Sequence, residues 1–293
     1  MLSPEIVKKI KKVHIKSGRL VNTVMAGQYR SVFRGSGIEF EEVRDYSPGD
    51  EVKNIDWKVS ARLGRPFIKL YREEREQIVM LLLDMSASAN FGTGEQLKRE
   101  TTAEFAAILA FNAIRNNDKV GALLFSDQVE KYIPPQKGTS HVWRVIKEIY
   151  SFVPQHSGTD ISNAVRYLGS VCRKKAVAFL ISDFLDENYR RPLKTLSRKH
   201  EIISVLMSDP GDFRLPEKGI VSAIDLETGA RVLLDAGNQR VRRRYADIRR
   251  QVYQSARDTL RRSDIDCIEI STTASVADAL VRYFKYREKR RRQ

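Results

Sequence analysis

Residues 77–88 read Gln-Ile-Val-Met-Leu-Leu-Leu-Asp-Met-Ser-Ala-Ser. The stretch Gln77 to Leu83 is apolar without alternation and too short for an ordinary helix, which predicts a strand buried on both faces, as parallel sheets require. It ends on Asp84, and Ser86 and Ser88 follow at alternating positions. Three oxygen-bearing side chains therefore leave one strand end within a single tight loop. Open parallel sheets bind ligands at that edge.

The rest of the chain repeats the pattern. Leu97 to Asn116 is apolar around most of its circumference and predicts a buried helix. Val120 to Phe125 gives a second buried strand, and Val129 to Ile133 a short edge strand stopped by Pro134-Pro135. Helices are expected over His141–Phe152 and Asp160–Cys172, with the turn Pro154 to Thr159 between them. Lys175 to Asp183 is another apolar run ending in Ser182-Asp183. The helix Asn188–Lys199 and the strand Ile202–Met207 follow. Ser222–Leu226 and Arg231–Leu234 flank Glu227-Thr228-Gly229 as a hairpin. The helix Asn238–Arg262, the strand Cys267–Ile270 and the helix Val276–Tyr283 complete the reading. Alternating strands and helices specify an α/β fold with an open, mostly parallel, doubly wound sheet of Rossmann type.

Residues 1–75 read differently. A helix is expected from Pro4 to Ser17, and 34–75 is polar, charged and broken by Ser47-Pro48-Gly49-Asp50 and Leu63-Gly64-Arg65-Pro66. It predicts extended segments and a hairpin held by charge pairs among Arg44, Arg62, Asp50 and Asp56, with Trp57 packed beneath. The domain division is thus 1–75 and 76–293.

The apolar fraction of 42% and charged fraction of 30% in 293 residues describe a chain able to build a core. No apolar run approaches the roughly 18 residues that span a bilayer, and no signal-peptide pattern opens the chain, so the expected compartment is the cytoplasm. Two cysteines, Cys172 and Cys267, imply neither a disulfide framework nor a zinc site. The net charge of +15 is concentrated in Arg240–Arg250, Arg257–Arg262 and Arg282–Arg292. Within Asn238–Arg262 the arginines alternate with apolar positions at helical spacing, which makes them the solvated face of an amphipathic helix rather than a nucleic-acid surface. The tail Lys285–Gln293 is expected to fray.

Carboxylate and hydroxyl oxygens are hard ligands, suited to Mg²⁺, Mn²⁺ or Ca²⁺ rather than to zinc. Thr159 and Asp183, on separate loops of the same sheet edge, extend Asp84, Ser86 and Ser88 into a candidate coordination shell. Two plainer readings stand beside it: the Asp-Ser string as a turn, and Asp183 as the cap of the following helix. An enzyme using Mg²⁺ for phosphoryl transfer is an alternative, but the chain has no phosphate-binding loop, and His14, His141, His156 and His200 show no dyad spacing. Nucleic-acid binding through the basic surface is a further alternative.

The D-x-S-x-S string, the loop threonine and the second strand-end aspartate resemble the metal-ion-dependent adhesion site of von Willebrand factor A domains, over roughly Glu76 to the C-terminus. The resemblance implies Ser86, Ser88 and Thr159 as direct ligands of a divalent cation, most simply Mg²⁺. It implies Asp84 and Asp183 as direct or water-mediated ligands, and an acidic group of a protein partner completing the shell. The segments Gly37–Asp50 and Ile55–Arg62 resemble the signature of the bacterial domain of unknown function 58 proteins. Members are similar to companions of MoxR-type AAA+ ATPases in protein maturation, and many carry membrane helices. The resemblance thus implies a non-catalytic interaction module, with such an ATPase or its client as the partner.

Overall fold

The structure, a computed structural model, describes residues 37–74 and 76–291. The helix expected over Pro4–Ser17 lies outside them. Two compact units are resolved, Phe33–Gln77 and a larger one containing Ile78–Gln293.

In the smaller unit, β1 (Gly37–Asp45) pairs antiparallel with β2 (Phe67–Glu74), and α1 (Trp57–Leu63) lies between them in sequence. The helix starts at Asp56 because its Oδ1 accepts from the amides of Lys58 and Val59, both at 3.1 Å. It ends at Gly64, which adopts φ 70°, a left-handed conformation that glycine takes without steric cost. Arg44 grips Asp50 with two hydrogen bonds of 2.8 and 2.7 Å, and Asp50 accepts from the Ser47 amide to close the turn. Two expectations fail here. Trp57 is 68% exposed rather than packed beneath the charges, and Arg62 is exposed rather than paired with them. Both project from a seven-residue helix whose side chains are all half-buried or exposed.

The larger unit is a six-stranded sheet ordered β10-β7-β6-β3-β4-β5. Its strands are β3 (Ile78–Asp84), β4 (Lys119–Phe125), β5 (Val129–Gln136), β6 (Val177–Ser182), β7 (Glu201–Ser208) and β10 (Asp266–Ser271). All neighbours are parallel except β4 and β5. Successive side chains of a strand face opposite sides, and β3 is apolar at both sets of positions because helices cover both. On one face Met80 and Leu82 belong to a core with Val165 and Leu168 of α4 (Ile161–Val171), Leu193 and Leu196 of α5 (Arg190–Leu196), and Ala256 and Leu260 of α7 (Gln239–Arg261). Elsewhere α2 (Lys98–Arg115) packs Phe105 edge-on against Phe179 of β6, with ring centroids 6.1 Å apart. Helix α3 (Thr139–Ser151) lies beside α2.

The structure departs from the sequence reading in three places. Strand β5 continues through Pro134-Pro135 to Gln136. An edge strand tolerates the missing donors, and the ladder shifts register between Val120 and Ala122, where Gly121 lets the backbones approach. A Cβ on Gly121 would lie 2.8 Å from the Ile133 carbonyl oxygen. A four-residue helix, α6 (Pro210–Phe213), was not anticipated. The last helix, α8 (Val276–Arg291), does not stop near Tyr283, and its tail does not fray at Lys285. Arg287 there pairs with Glu201, and Arg290 pairs with Asp266 at 3.3 Å, so acids at the starts of β7 and β10 hold the helix. The hairpin β8 (Ile220–Ile224) and β9 (Arg231–Asp235) forms a two-stranded sheet of its own.

Asp56→Ala is expected to destabilise α1 by about 1 kcal/mol, seen as roughly fivefold faster amide exchange over residues 58–64. Unchanged exchange would show that Asp56 does not hold the helix start.

Candidate metal centre

Strand β3 is followed in the chain by β4 on one side and bordered by β6 on the other, so the chain's winding reverses between β3 and β6. Asp84 and Asp183 lie at the carboxyl ends of these two strands, at the switch point where such sheets hold ligands. Asp84 is buried. Its Oδ1 accepts from the Ser86 amide at 3.0 Å and its Oδ2 from the Ser182 hydroxyl at 2.5 Å. The first bond folds the chain sharply after β3, and the resulting loop places Ser86 Oγ 3.1 Å from Ser88 Oγ. Ser86 is fully buried and Ser88 nearly so.

The loop carrying Thr159 is drawn to the same place by the backbone. The Ala87 amide donates to the Ser157 carbonyl at 2.9 Å, and the Asp160 amide to the Ser126 carbonyl at 2.9 Å. Asp160 then caps α4 through the Asn163 amide at 2.7 Å. The Thr159 hydroxyl itself donates to Glu227 Oε1 at 2.8 Å.

Asp183 does not cap the following helix; Tyr189 occupies the N-cap position of α5. Its Oδ2 instead meets the Lys98 ammonium at 2.9 Å, while its buried Oδ1 has no hydrogen-bond partner among the described residues. Phe184 follows in the left-handed region at φ 55°, a costly conformation for a bulky side chain, and its amide donates to Ser182 Oγ at 2.9 Å. The chain thus turns immediately after Asp183, with a backbone strain that the buried packing of Phe184 must offset.

Lys98, Asp212 and Glu227 were missed in the sequence. Lys98 is buried and bridges Asp183 and Asp212, whose Oδ2 lies 3.0 Å from the ammonium. Arg249 of α7 reaches Asp212 Oδ1 at 3.2 Å. Burial opposes the charge on Lys98, but the two carboxylates prevail and raise its pKa above the ordinary lysine value. The one available signal was a lysine on a helix with almost no solvent face, which demands a carboxylate partner. Its partners stand 85 and 114 residues away, a separation that no local pattern reports.

Burial pushes the Asp84 carboxyl upward, the negative charge of Asp183 adds to it, and the hydrogen bonds from Ser182 and Ser86 oppose it. Burial likewise raises Glu227, against its bond from Thr159. Among the described residues Asp183 and Asp212 pair with Lys98 and Arg249 while Asp84 makes no ion pair, so three carboxylates stand against two cations. A divalent cation bound by hard oxygens would supply the balancing charge. Among the described residues no three His, Cys, Asp or Glu side chains form a ready-made metal cage. The candidate donors from the sequence are two carboxylates, Asp84 and Asp183, and three hydroxyls, Ser86, Ser88 and Thr159. The described histidines are occupied elsewhere: His141 contacts the Val120 carbonyl at 2.8 Å, His156 lies 3.8 Å from Asp127, and buried His200 accepts from the Ala176 amide, its pKa lowered to about 4 by burial.

The family described as Protein of unknown function DUF58 matches residues 42–255, a span that contains every residue of this centre. The chain belongs to the DUF58 family. Uncharacterized protein Rv1480 of Mycobacterium tuberculosis is 30% identical over 77% of this chain and 72% of its own length. Among solved structures, the conserved hypothetical protein BatB from Bacteroides thetaiotaomicron matches with a TM-score of 0.50 at 16% identity, over 73% of this chain and 99% of that one. The SpRpn10 VWA domain is similar with a TM-score of 0.41 at 11% identity, over 71% of this chain and 95% of that one. The sheet of the DUF58 chain is doubly wound and mostly parallel, as the alternation of strands and helices predicted, and the edge strand β5 runs antiparallel to β4.

Lys98→Met is expected to lower unfolding free energy by about 3–5 kcal/mol, because it strands two buried carboxylates. Urea denaturation measures this, and a midpoint equal to wild type would show that the ammonium does not hold the centre.

Proposed function

We propose that this DUF58 chain is a non-catalytic, divalent-cation-dependent protein-interaction module. Asp84, Ser86, Ser88, Thr159 and Asp183 would hold the cation, most simply Mg²⁺, with Mn²⁺ or Ca²⁺ as chemically allowed substitutes. The cation would supply a Lewis-acidic point of attachment for a carboxylate of the partner. The observation that carries this reading is the buried, unpartnered Oδ1 of Asp183 beside a second buried carboxylate whose pKa that charge raises. A buried carboxylate oxygen without a donor is costly, and a cation removes the cost.

The surroundings favour attachment over chemistry. None of the described histidines contacts Asp84 or Asp183, so among them no general base is poised at the centre. Several arginines of the basic helices are engaged within the domain. Arg242 binds carbonyls at the foot of the hairpin, and Arg249, Arg257, Arg287 and Arg290 each pair with a carboxylate. No helix of the described residues is long and apolar enough to cross a membrane. We infer a cytoplasmic module that works with a MoxR-type AAA+ ATPase, its client, or both, in protein maturation or complex assembly. In this proposal residues 1–75 form an accessory segment carrying the family signature, and residues 76–293 form the cation-binding domain.

Calorimetric titration with Mg²⁺ tests the reading. Asp84→Asn keeps the side-chain volume while removing the charge, and is expected to weaken cation binding at least tenfold without lowering the melting temperature. A pull-down of the ATPase should succeed in Mg²⁺ and fail both in EDTA and with Asp84→Asn. Capture that persists in both would contradict the proposal.

A further inference from the structure

Glu227 stands at the tip of the β8–β9 hairpin, and its carboxylate takes the hydrogen bond of a hydroxyl proposed above as a cation ligand. We propose that this hairpin is a strap whose tip residue, Glu227, is the domain's own carboxylate ligand at the centre, holding the place that an acidic side chain of a partner takes. The inference rests on the cation reading of Asp84, Ser86, Ser88, Thr159 and Asp183, and adds to it how access is controlled.

The hairpin is built as a strap. Its foot is pinned: Arg242 Nη1 donates to the carbonyls of Ala236, Gly237 and Glu217 at 2.5, 3.0 and 3.2 Å, and the Ala236 amide donates to Gly219 at 2.9 Å. Its tip is rigid in itself, since Asp225 Oδ1 accepts from the amides of Glu227 at 2.9 Å and Thr228 at 3.0 Å, and Gly229 supplies the left-handed residue of the turn at φ 73°. The tip is latched to the sheet edge at two points, Thr159 Oγ1 to Glu227 Oε1 at 2.8 Å and Ser157 Oγ to the Glu227 carbonyl at 3.2 Å.

Between foot and latch little holds it. The two strands pair only with each other, and Ile220 and Leu233 are each 74% exposed. A two-stranded hairpin is marginal by itself, so the latch contributes a large part of what keeps it down. Beneath the tip lies a cleft of about 900 Å³ whose lining includes Leu226 and Glu227 of the hairpin, with Lys98, Arg190 and Arg249. Asp186, Glu187, Asp212 and Asp225 line it as well, so the attraction for an incoming carboxylate would come from the bound cation rather than from the cleft wall.

A tethered carboxylate acts at an effective concentration in the millimolar range or above, and a partner must displace it. Manganese alone is the probe for the test, read by titration and by amide exchange over residues 220–235 in the full chain. In wild type, Mn²⁺ is expected to slow exchange at the hairpin tip. Glu227→Gln keeps the hydrogen bond from Thr159 but cannot offer an anionic ligand; it should bind Mn²⁺ at least tenfold more weakly and show no slowing. Glu217→Gln, at the foot, removes the same charge and should bind as wild type does. If Glu227→Gln binds Mn²⁺ like wild type and the hairpin exchanges alike with and without the ion, the strap is wrong while the cation centre stands. If wild type binds no Mn²⁺, both are wrong.

Discussion

Two carboxylates, Asp84 and Asp183, are buried at the ends of adjacent strands, where their like charges repel and little water is present to screen them. Much of the polar architecture of the larger unit is an answer to that constraint. Ser182 and the Ser86 amide satisfy Asp84, Lys98 neutralises half of what Asp183 presents, and Asp212 with Arg249 anchors the lysine. Asp212 is itself fixed because it also accepts from the Asp209 amide at 2.8 Å, while Asp209 binds the hydroxyls of Thr93 and Thr272. A chain of ion pairs and hydrogen bonds thus runs from Asp183 at the end of β6 to α7 and to the loop after β10. One oxygen, Oδ1 of Asp183, is left out of it.

The parallel sheet was legible because burial on both faces writes itself into sequence as unbroken apolar runs, and Ile78–Leu83 and Val177–Ile181 are such runs. Asp84, Ser86 and Ser88 were legible as a string because they share one loop, and their hydrogen bonds bear out a tight turn. Thr159 and Asp183 were legible only through topology, as the residues that a doubly wound sheet carries to the same edge. What escaped was everything that depends on tertiary partners. Trp57 looks like a core residue by composition but sits on a short exposed helix. Arg287 and Arg290 look like a frayed tail until Glu201 and Asp266 are brought beneath them. Pro134-Pro135 looks like a strand terminator, yet an edge position makes the missing amides harmless.

Glu227 shows the same limit most sharply. In sequence it is an acidic residue in a glycine turn, an ordinary composition for a hairpin tip. Its hydrogen bond spans 68 residues to Thr159, and only the fold reveals that this acid meets the loop beside the ends of β3 and β6. An additional carboxylate there is expensive without positive charge, which ties the hairpin and the strand ends into one electrostatic problem.

Crystals grown with Mn²⁺ and measured for anomalous scattering address the central claim most directly. The account predicts one anomalous peak at the sheet edge, within about 2.0–2.6 Å of the Ser86 and Ser88 hydroxyl oxygens and facing Oδ1 of Asp183. An edge without manganese at saturating concentration, with that oxygen still unpartnered, would contradict it.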